Sequence, residues 1–273
     1  MHGSGPDEKM QVWKGSRNMK PLEIKHRVIG GGEPLICVPV VEQDAQSVIR
    51  EITYLSQSTA DMIEWRVDAF RDFTDYNAIR SVFEAVAPLL GEKLFLYTFR
   101  TAHQGGMVQV KAEQLDDLHD LAAESGCVDL VDLEFFEEDR PLHKIKRLRE
   151  MGVSVIASHH DFEQTPSPEV MKMLLEKMCA GGADIVKLAV MPQNYKDVLN
   201  LLDVTAQFRE ENPDTPVITM SMGSLGGISR ISGETFGSCV TFGAHEKPSA
   251  PGQFAMKELR QMLDTIHASS RIQ

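Results

Sequence analysis

The sequence predicts a parallel (β/α)8 barrel, the TIM-barrel architecture of the α/β class, on three observations. Eight short apolar, β-branched or aromatic runs begin near Leu35, Asp61, Leu94, Val128, Val153, Ala183, Pro216 and Cys239. They follow one another at intervals of about 23 to 34 residues, and most are succeeded by one stretch of helical period, the rhythm of repeated strand–helix units. The chain has 273 residues, and a barrel of this kind needs about 250.

Ahead of the first barrel run, "PLEIKHRVIGGGEPLICVPV" reads as a strand, a glycine-rich turn and another strand, a hairpin closing the barrel's bottom. In "DMIEWRVD", alternation across the strand sends Ile63, Trp65 and Val67 to the helix layer and turns Glu64 and Arg66 inward. Arg100 follows "LFLYTF", on the parity opposite to Phe95, Tyr97 and Phe99. The next helix carries Leu115, Leu118, Leu121 and Ala122 as its apolar stripe and stops at Gly126, just before "VDLVDLE". In the Val153 run, His160 shares parity with Ile156 and Ser158. Ser167 then stands as N-cap with Pro168 at the first helical position. Val170, Leu174, Leu175 and Met178 form one face of that helix, and Gly181-Gly182 ends it. In "ADIVKLAV", Val186, Leu188 and Val190 suit the helix layer, which leaves Lys187 facing the barrel interior. No Pro-rich linker or low-complexity block interrupts the pattern. Residues 21–273 are therefore expected to form one catalytic barrel, and the polar residues 1–20 a flexible tail.

Composition narrows the function. Apolar residues make up 42% and charged residues 25% of a chain with formal charge −12. An acidic surface repels a phosphate backbone, so nucleic acid and anionic membranes are not expected partners. The apolar run Leu35–Val41 contains Pro39 and falls far short of the roughly 18 residues a spanning helix needs. No secretory signal pattern opens the chain. Cys37, Cys127, Cys179 and Cys239 are scattered without a C-x-x-C pair, which fits reduced thiols in the cytoplasm and gives neither a zinc site nor a redox motif.

Glu64, Arg66, Arg100, His160 and Lys187 all fall at or near the C-terminal ends of their strands, where barrels of this kind place their chemistry. Taken alone, an inward Glu64 or Arg66 is most simply a rim residue or a structural ion pair. Lys187 differs, because an amine flanked by Val186 and Leu188 is costly to bury charged and unpaired. Burial and nearby arginines would favour the neutral amine that attacks a carbonyl. "SHHDF" invites a metal reading, but adjacent strand residues point to opposite faces, so His159 and His160 do not share one ion. His159 is read as a packing or hydrogen-bonding residue, and His160 as a group that moves protons near pH 7.

Taken together, these segments resemble the type I 3-dehydroquinate dehydratases, shikimate-pathway enzymes of aromatic amino acid biosynthesis. The matching stretches are "EWRVD", "TFR" ending at Arg100, "SHHDF", "KLAVMP", "ITMSMG", "ISR" ending at Arg230, "GETFGS", "TFG" and "SAPGQ". Several are weak singly, but their joint order is specific. The resemblance implies conversion of 3-dehydroquinate to 3-dehydroshikimate through a Schiff base on Lys187, with His160 as general base and then acid, no cofactor and no metal. It makes Arg230 the partner of the substrate carboxylate, and Glu64, Arg66 and Arg100 partners of the ring hydroxyls. It places Ser249 and Gln253, in what composition alone reads as a surface loop, on a segment closing over substrate, and it puts Met222 beside the imine. A homodimer is also implied.

One position departs from the pattern. Gln104 stands where the family usually carries glutamate, and an amide orients His160 without stabilising its cation by charge. His160 is thus expected to titrate lower here than in glutamate-bearing relatives. Two alternatives stand beside the dehydratase. A class I aldolase would use a barrel lysine and hold a phosphate on the backbone amides of "SMGSLGGIS". A catalytically silent barrel would bind a metabolite without turnover.

Overall fold

The computed structural model describes residues 22–270, so the tail expected at 1–20 lies outside the described residues. The first elements are β1 (Leu22–Ile24) and β2 (Arg27–Ile29), an antiparallel pair with Leu22 opposite Ile29. Barrel strands and helices then alternate: β3 (Leu35–Val40), α1 (Ala45–Ser56), β4 (Met62–Arg66), α2 (Tyr76–Val86), β5 (Leu94–Thr98), α3 (Ala112–Glu124), β6 (Leu130–Glu134) and α4 (Pro141–Glu150). They continue as β7 (Ser154–Asp161), α5 (Pro168–Ala180), β8 (Ile185–Val190), α6 (Tyr195–Glu211), β9 (Val217–Ser221), the short α7 (Gly227–Ile231) and α8 (Gly233–Phe236), β10 (Val240–Phe242) and α9 (Met256–Ser270). Every barrel strand begins within two residues of the position expected from sequence.

The parallel sheet runs β10-β3-β4-β5-β6-β7-β8-β9. It nearly closes on itself where β9 meets the approach to β10, through the Val217–Ser238 bridge, Cys239 N–H to the Val217 carbonyl at 2.8 Å and Thr219 N–H to Ser238 Oγ at 3.0 Å. Side-chain alternation divides the apolar residues into two layers. Trp65, Tyr97, Val186 and Leu188 join the cluster between sheet and helices, where Trp65 meets Phe70, Phe83 and Tyr97 edge-on. Met62, Leu96, Leu130, Ile156, Ile185 and Ile218 form a second cluster inside the barrel, with Ile29 of β2 packed among them.

Hairpin and barrel floor are tied by charge. Asp61, Asp129 and Asp184, each just before a strand, accept the first free amide of the preceding strand: Ile36 at 3.0 Å, Phe95 at 2.8 Å and Val155 at 2.9 Å. Those amides would otherwise be unpaired at a buried sheet end. Asp61 also takes Arg27 of β2 at 2.9 Å and Arg260 of α9.

Two local expectations are corrected. The hairpin reverses at Lys25-His26 rather than at the glycines, which instead lead into β3. The left-handed conformation such a tight turn demands falls on Lys25 (φ 52°), whose amine is anchored on Asp129 and the Lys93 carbonyl, each at 2.8 Å. In α5 the buried face is Met171, Leu174, Leu175 and Met178, while Val170 is exposed. Met171 lies three, four and seven residues before the other three, so it centres the stripe and leaves Val170 at its rim. Ser167 holds the N-cap position by backbone alone.

Candidate active site

Lys187 lies in the middle of β8, and its amine reaches a carboxylate that the sequence reading did not include. Asp132 of β6, fully buried, accepts Lys187 Nζ at 3.0 Å, Arg100 Nη2 at 2.9 Å and Ser158 Oγ at 2.5 Å. Burial alone would raise the Asp132 carboxyl, but Arg100 and Lys187 outweigh it and hold the group far below the usual carboxylate range. The amine therefore has a buried carboxylate within salt-bridge distance, a partner absent from the expectation of an amine among apolar neighbours. On its other side lies the Phe242 ring, 4.6 Å from Nζ to centroid. Arg100 bridges onward to Glu134 at 2.9 Å and Ser158 Oγ at 3.1 Å.

His160 sits on β7, beside β8, with its Cα opposite Ala189 and that of Ser158 opposite Lys187. Its backbone N–H donates to Gln104 Oε1 at 2.9 Å, and its Nδ1 lies 3.1 Å from the same oxygen. A backbone amide only donates, so the atom facing it must be the carbonyl oxygen, and Nδ1 must then carry the ring hydrogen. Nε2 is left with a lone pair, the state of a general base. Burial, Arg100, Lys187 and Arg66 push the imidazole well below its ordinary 6.5, against Asp132. Behind Gln104, its Nε2 reaches Glu137 at 3.5 Å. His159 points the other way, edge-on to Phe136.

Asp68 is a second buried carboxylate with structural reach. It receives Arg66 through Nε and Nη2, both at 2.8 Å, and the backbone amides of Arg100 and Met107, both at 3.2 Å. Arg66 thus keeps Nη1 for any ligand. The segment between those amides carries Gln104 and closes so tightly that a Cβ on Gly106 would meet the Arg100 carbonyl oxygen at 1.8 Å. Thr101 secures it to Glu134 through N at 2.9 Å and Oγ1 at 2.7 Å. Glu64 accepts Thr98 Oγ1 at 2.8 Å on the interior side of β4.

Arg230, on α7, is 1% exposed and meets no carboxylate among the described residues. Nη2 donates to the Pro251 carbonyl at 3.0 Å, while Nε and Nη1 have no partner among the described residues. Burial pushes its pKa down to about 10. Nη2 carries two hydrogens, so one remains to form a two-donor fork with Nε or Nη1, the geometry a carboxylate fits. Met222 is buried in the interior cluster beside Met220. Ser249 and Gln253 bond each other, Ser249 N–H to Oε1 at 2.8 Å and Gln253 Nε2 to Ser249 Oγ at 3.0 Å.

Asp132, Glu134 and Asp68 were therefore missed. Alternation carried the signal for the first two, since "LVDLE" puts Leu130, Asp132 and Glu134 on one face and Val131 and Leu133 on the other. Three backbone amides of the β9–α7 turn, those of Gly223, Gly226 and Ser229, donate to the carbonyls of Pro251, Gly223 and Gly226.

Among the described residues, no helix is long and apolar enough to cross a membrane. The type I 3-dehydroquinase family model matches residues 36–270. The chain is 41% identical over 250 residues to the 3-dehydroquinate dehydratase of Syntrophotalea carbinolica, covering 91% of this chain and 99% of the relative. It is 42% identical over 250 residues to that of Listeria monocytogenes, with the same coverages. Among solved structures, the type I 3-dehydroquinate dehydratase of Clostridium difficile with covalently modified comenic acid superposes with a TM-score of 0.88 at 38% identity, covering 92% of this chain and 99% of that one. The Geobacillus kaustophilus enzyme gives 0.89 at 36% identity, covering 92% and 98%.

Proposed function

Because the chain belongs to the type I 3-dehydroquinase family, we propose that it converts 3-dehydroquinate to 3-dehydroshikimate and water by syn elimination through a Schiff base on Lys187. The observation that carries this reading is the buried Lys187 amine, ion-paired inside the sheet next to a strand that holds His160 in its basic tautomer. His160, on the neighbouring strand, is the base placed to take up any proton the amine must shed before attack, while Asp132 stays ionised beside it. The amine adds to the C3 ketone and water leaves, giving an iminium that draws electrons from the adjacent C2–H bond. His160 Nε2 takes that proton. The electron pair returns to expel the C1 hydroxyl, which leaves as water with the proton His160 has acquired. A further water hydrolyses the imine, releasing the product ketone and the free amine.

Arg230 meets the substrate carboxylate through its open fork and sets the ring's orientation. Glu64, Arg100 and the remaining Nη1 of Arg66 address the ring hydroxyls, and Met222 flanks the imine. Ser249 and Gln253 exchange their mutual bonds for contacts to substrate when the β10–α9 loop closes. Gln104 positions His160. Four free thiols fit a reducing cytoplasm, and a homodimer follows from the family resemblance.

Borohydride reduction in the presence of 3-dehydroquinate, followed by peptide mass mapping, tests the proposal. A substrate-derived adduct on Lys187, absent in Lys187→Ala together with turnover, is expected. An adduct elsewhere, or undiminished dehydration by Lys187→Ala, refutes it. Binding of 3-dehydroquinate without turnover by the intact chain would mark a silent barrel.

A further inference from the structure

The loop that follows β10 lies against the turn that follows β9, and the contact is made by backbone. The Pro251 carbonyl accepts the Gly223 amide at 3.2 Å as well as Arg230 Nη2 at 3.0 Å. The next residue, Gly252, has φ +79°, and a Cβ there would stand 2.3 Å from the Gly223 oxygen, 2.8 Å from its carbon and 3.1 Å from its nitrogen. Gly223 is backbone at a tight turn (φ +68°), not the movable end of a side chain. Gly252 is therefore constrained twice, by a left-handed conformation and by a close approach. The loop is also held at its near end, where His245 stacks on Tyr54 at 4.0 Å and its Nδ1 lies 2.7 Å from Glu51.

We propose that Gly252 is a positioning residue that seats the β10–α9 loop on the β9–α7 turn, so that Arg230 latches the loop with the same Nη2 that completes its carboxylate fork. The inference rests on the reading of Arg230 as the carboxylate partner. Two events then share one nitrogen. A bound carboxylate fixes the guanidinium plane, and a fixed plane holds its other Nη2 hydrogen on Pro251. A seated loop, in return, presents the guanidinium to the ligand already oriented. Ser249 and Gln253, on either side of Pro251, are delivered by that seat.

Two substitutions separate the two constraints on Gly252. Asparagine tolerates a left-handed backbone far better than alanine does, but both carry the Cβ that meets Gly223. Gly252→Ala and Gly252→Asn are both expected to raise KM by about tenfold or more, with a smaller change in kcat. In amide hydrogen exchange, peptides spanning 244–254 should gain protection on saturation with 3-dehydroquinate in the wild type and little in either variant. Borohydride should still trap an adduct on Lys187 in both, with thermal midpoints near the wild type, because the seat joins two loops and leaves the strand pairing and the Lys187–Asp132 contact untouched. Wild-type KM and loop protection in Gly252→Asn overturn the seat and leave only backbone strain. Wild-type behaviour in both variants overturns the inference altogether. Failure of the wild type to form the Lys187 adduct is a different result, which removes the catalytic reading instead.

Discussion

Replacing Gln104 by glutamate puts a charge where the structure has an amide, and the consequence for His160 is calculable. The oxygen that accepts His160 N–H at 2.9 Å lies 3.1 Å from Nδ1. A carboxylate there would hold its charge about 4 Å from that of the imidazolium, an attraction of about 4 kcal/mol at an effective dielectric near 20, or about three pKa units. Two effects subtract. Gln104 is buried, so the new carboxylate loses hydration. Its second oxygen would also face Glu137, which now accepts from the Gln104 amide at 3.5 Å, although that repulsion is screened because Glu137 is exposed. The net expectation is a rise of about one to two units. Since burial and three cations now hold His160 well below 6.5, its titration in an NMR pH series should move up toward that value in Gln104→Glu. The acid limb of kcat/KM should follow it. Adding Glu137→Gln to Gln104→Glu removes a like charge that opposes ionisation of the new carboxylate, so the rise should persist in the double variant. An unmoved His160 resonance in both variants would show that the residue at 104 does not govern the histidine's charge.

Asp132→Asn leaves Lys187 and Arg100 buried without their shared counter-charge, so a loss of about 3 kcal/mol or more in urea unfolding is expected alongside lost turnover; an unchanged midpoint would count against the ion-pair assignment. Arg230→Lys keeps the charge but not the fork, and kcat/KM should fall by about a hundredfold, chiefly through KM; an unchanged KM would separate Arg230 from substrate recognition. His119 is buried with both ring nitrogens unpartnered among the described residues, and burial holds its pKa at about 4 against 6.5 for the free group. The unfolded chain therefore takes up this proton first, and the native state loses about 3 kcal/mol as pH falls from 6.5 to about 4. His119→Leu should flatten that part of the stability–pH curve without loss at pH 7, and a curve of unchanged slope would contradict the assignment.

Period and parity account for what was legible. A strand buried on both faces reads as an apolar run, so a charged residue inside one, such as Lys187 in "ADIVKLAV", is conspicuous and its direction follows from its neighbours. Applied to "VDLVDLE", the same rule reaches Asp132 and Glu134, but alternating charge there looks like a half-solvated strand until the barrel is known to close. What sequence does not encode locally is register between strands. The Asp132–Lys187 pair spans β6 and β8, with β7 and Ser158 between them. The contact of Gly252 with Gly223 joins loops from different units, and the chain reversal at Lys25 rests on Asp129, a residue far along the chain.

The hairpin beneath the sheet, with Ile29 embedded in the interior cluster and Leu22 and Ile24 packed against it, fills the N-terminal end of the barrel. In the proposed reaction substrate and product would both pass at the C-terminal end of the strands, beside the β10–α9 loop. Arrival and departure at that end are then mutually exclusive, so product should inhibit competitively, and the pace at which the loop reopens sets an upper bound on how fast the chain can cycle.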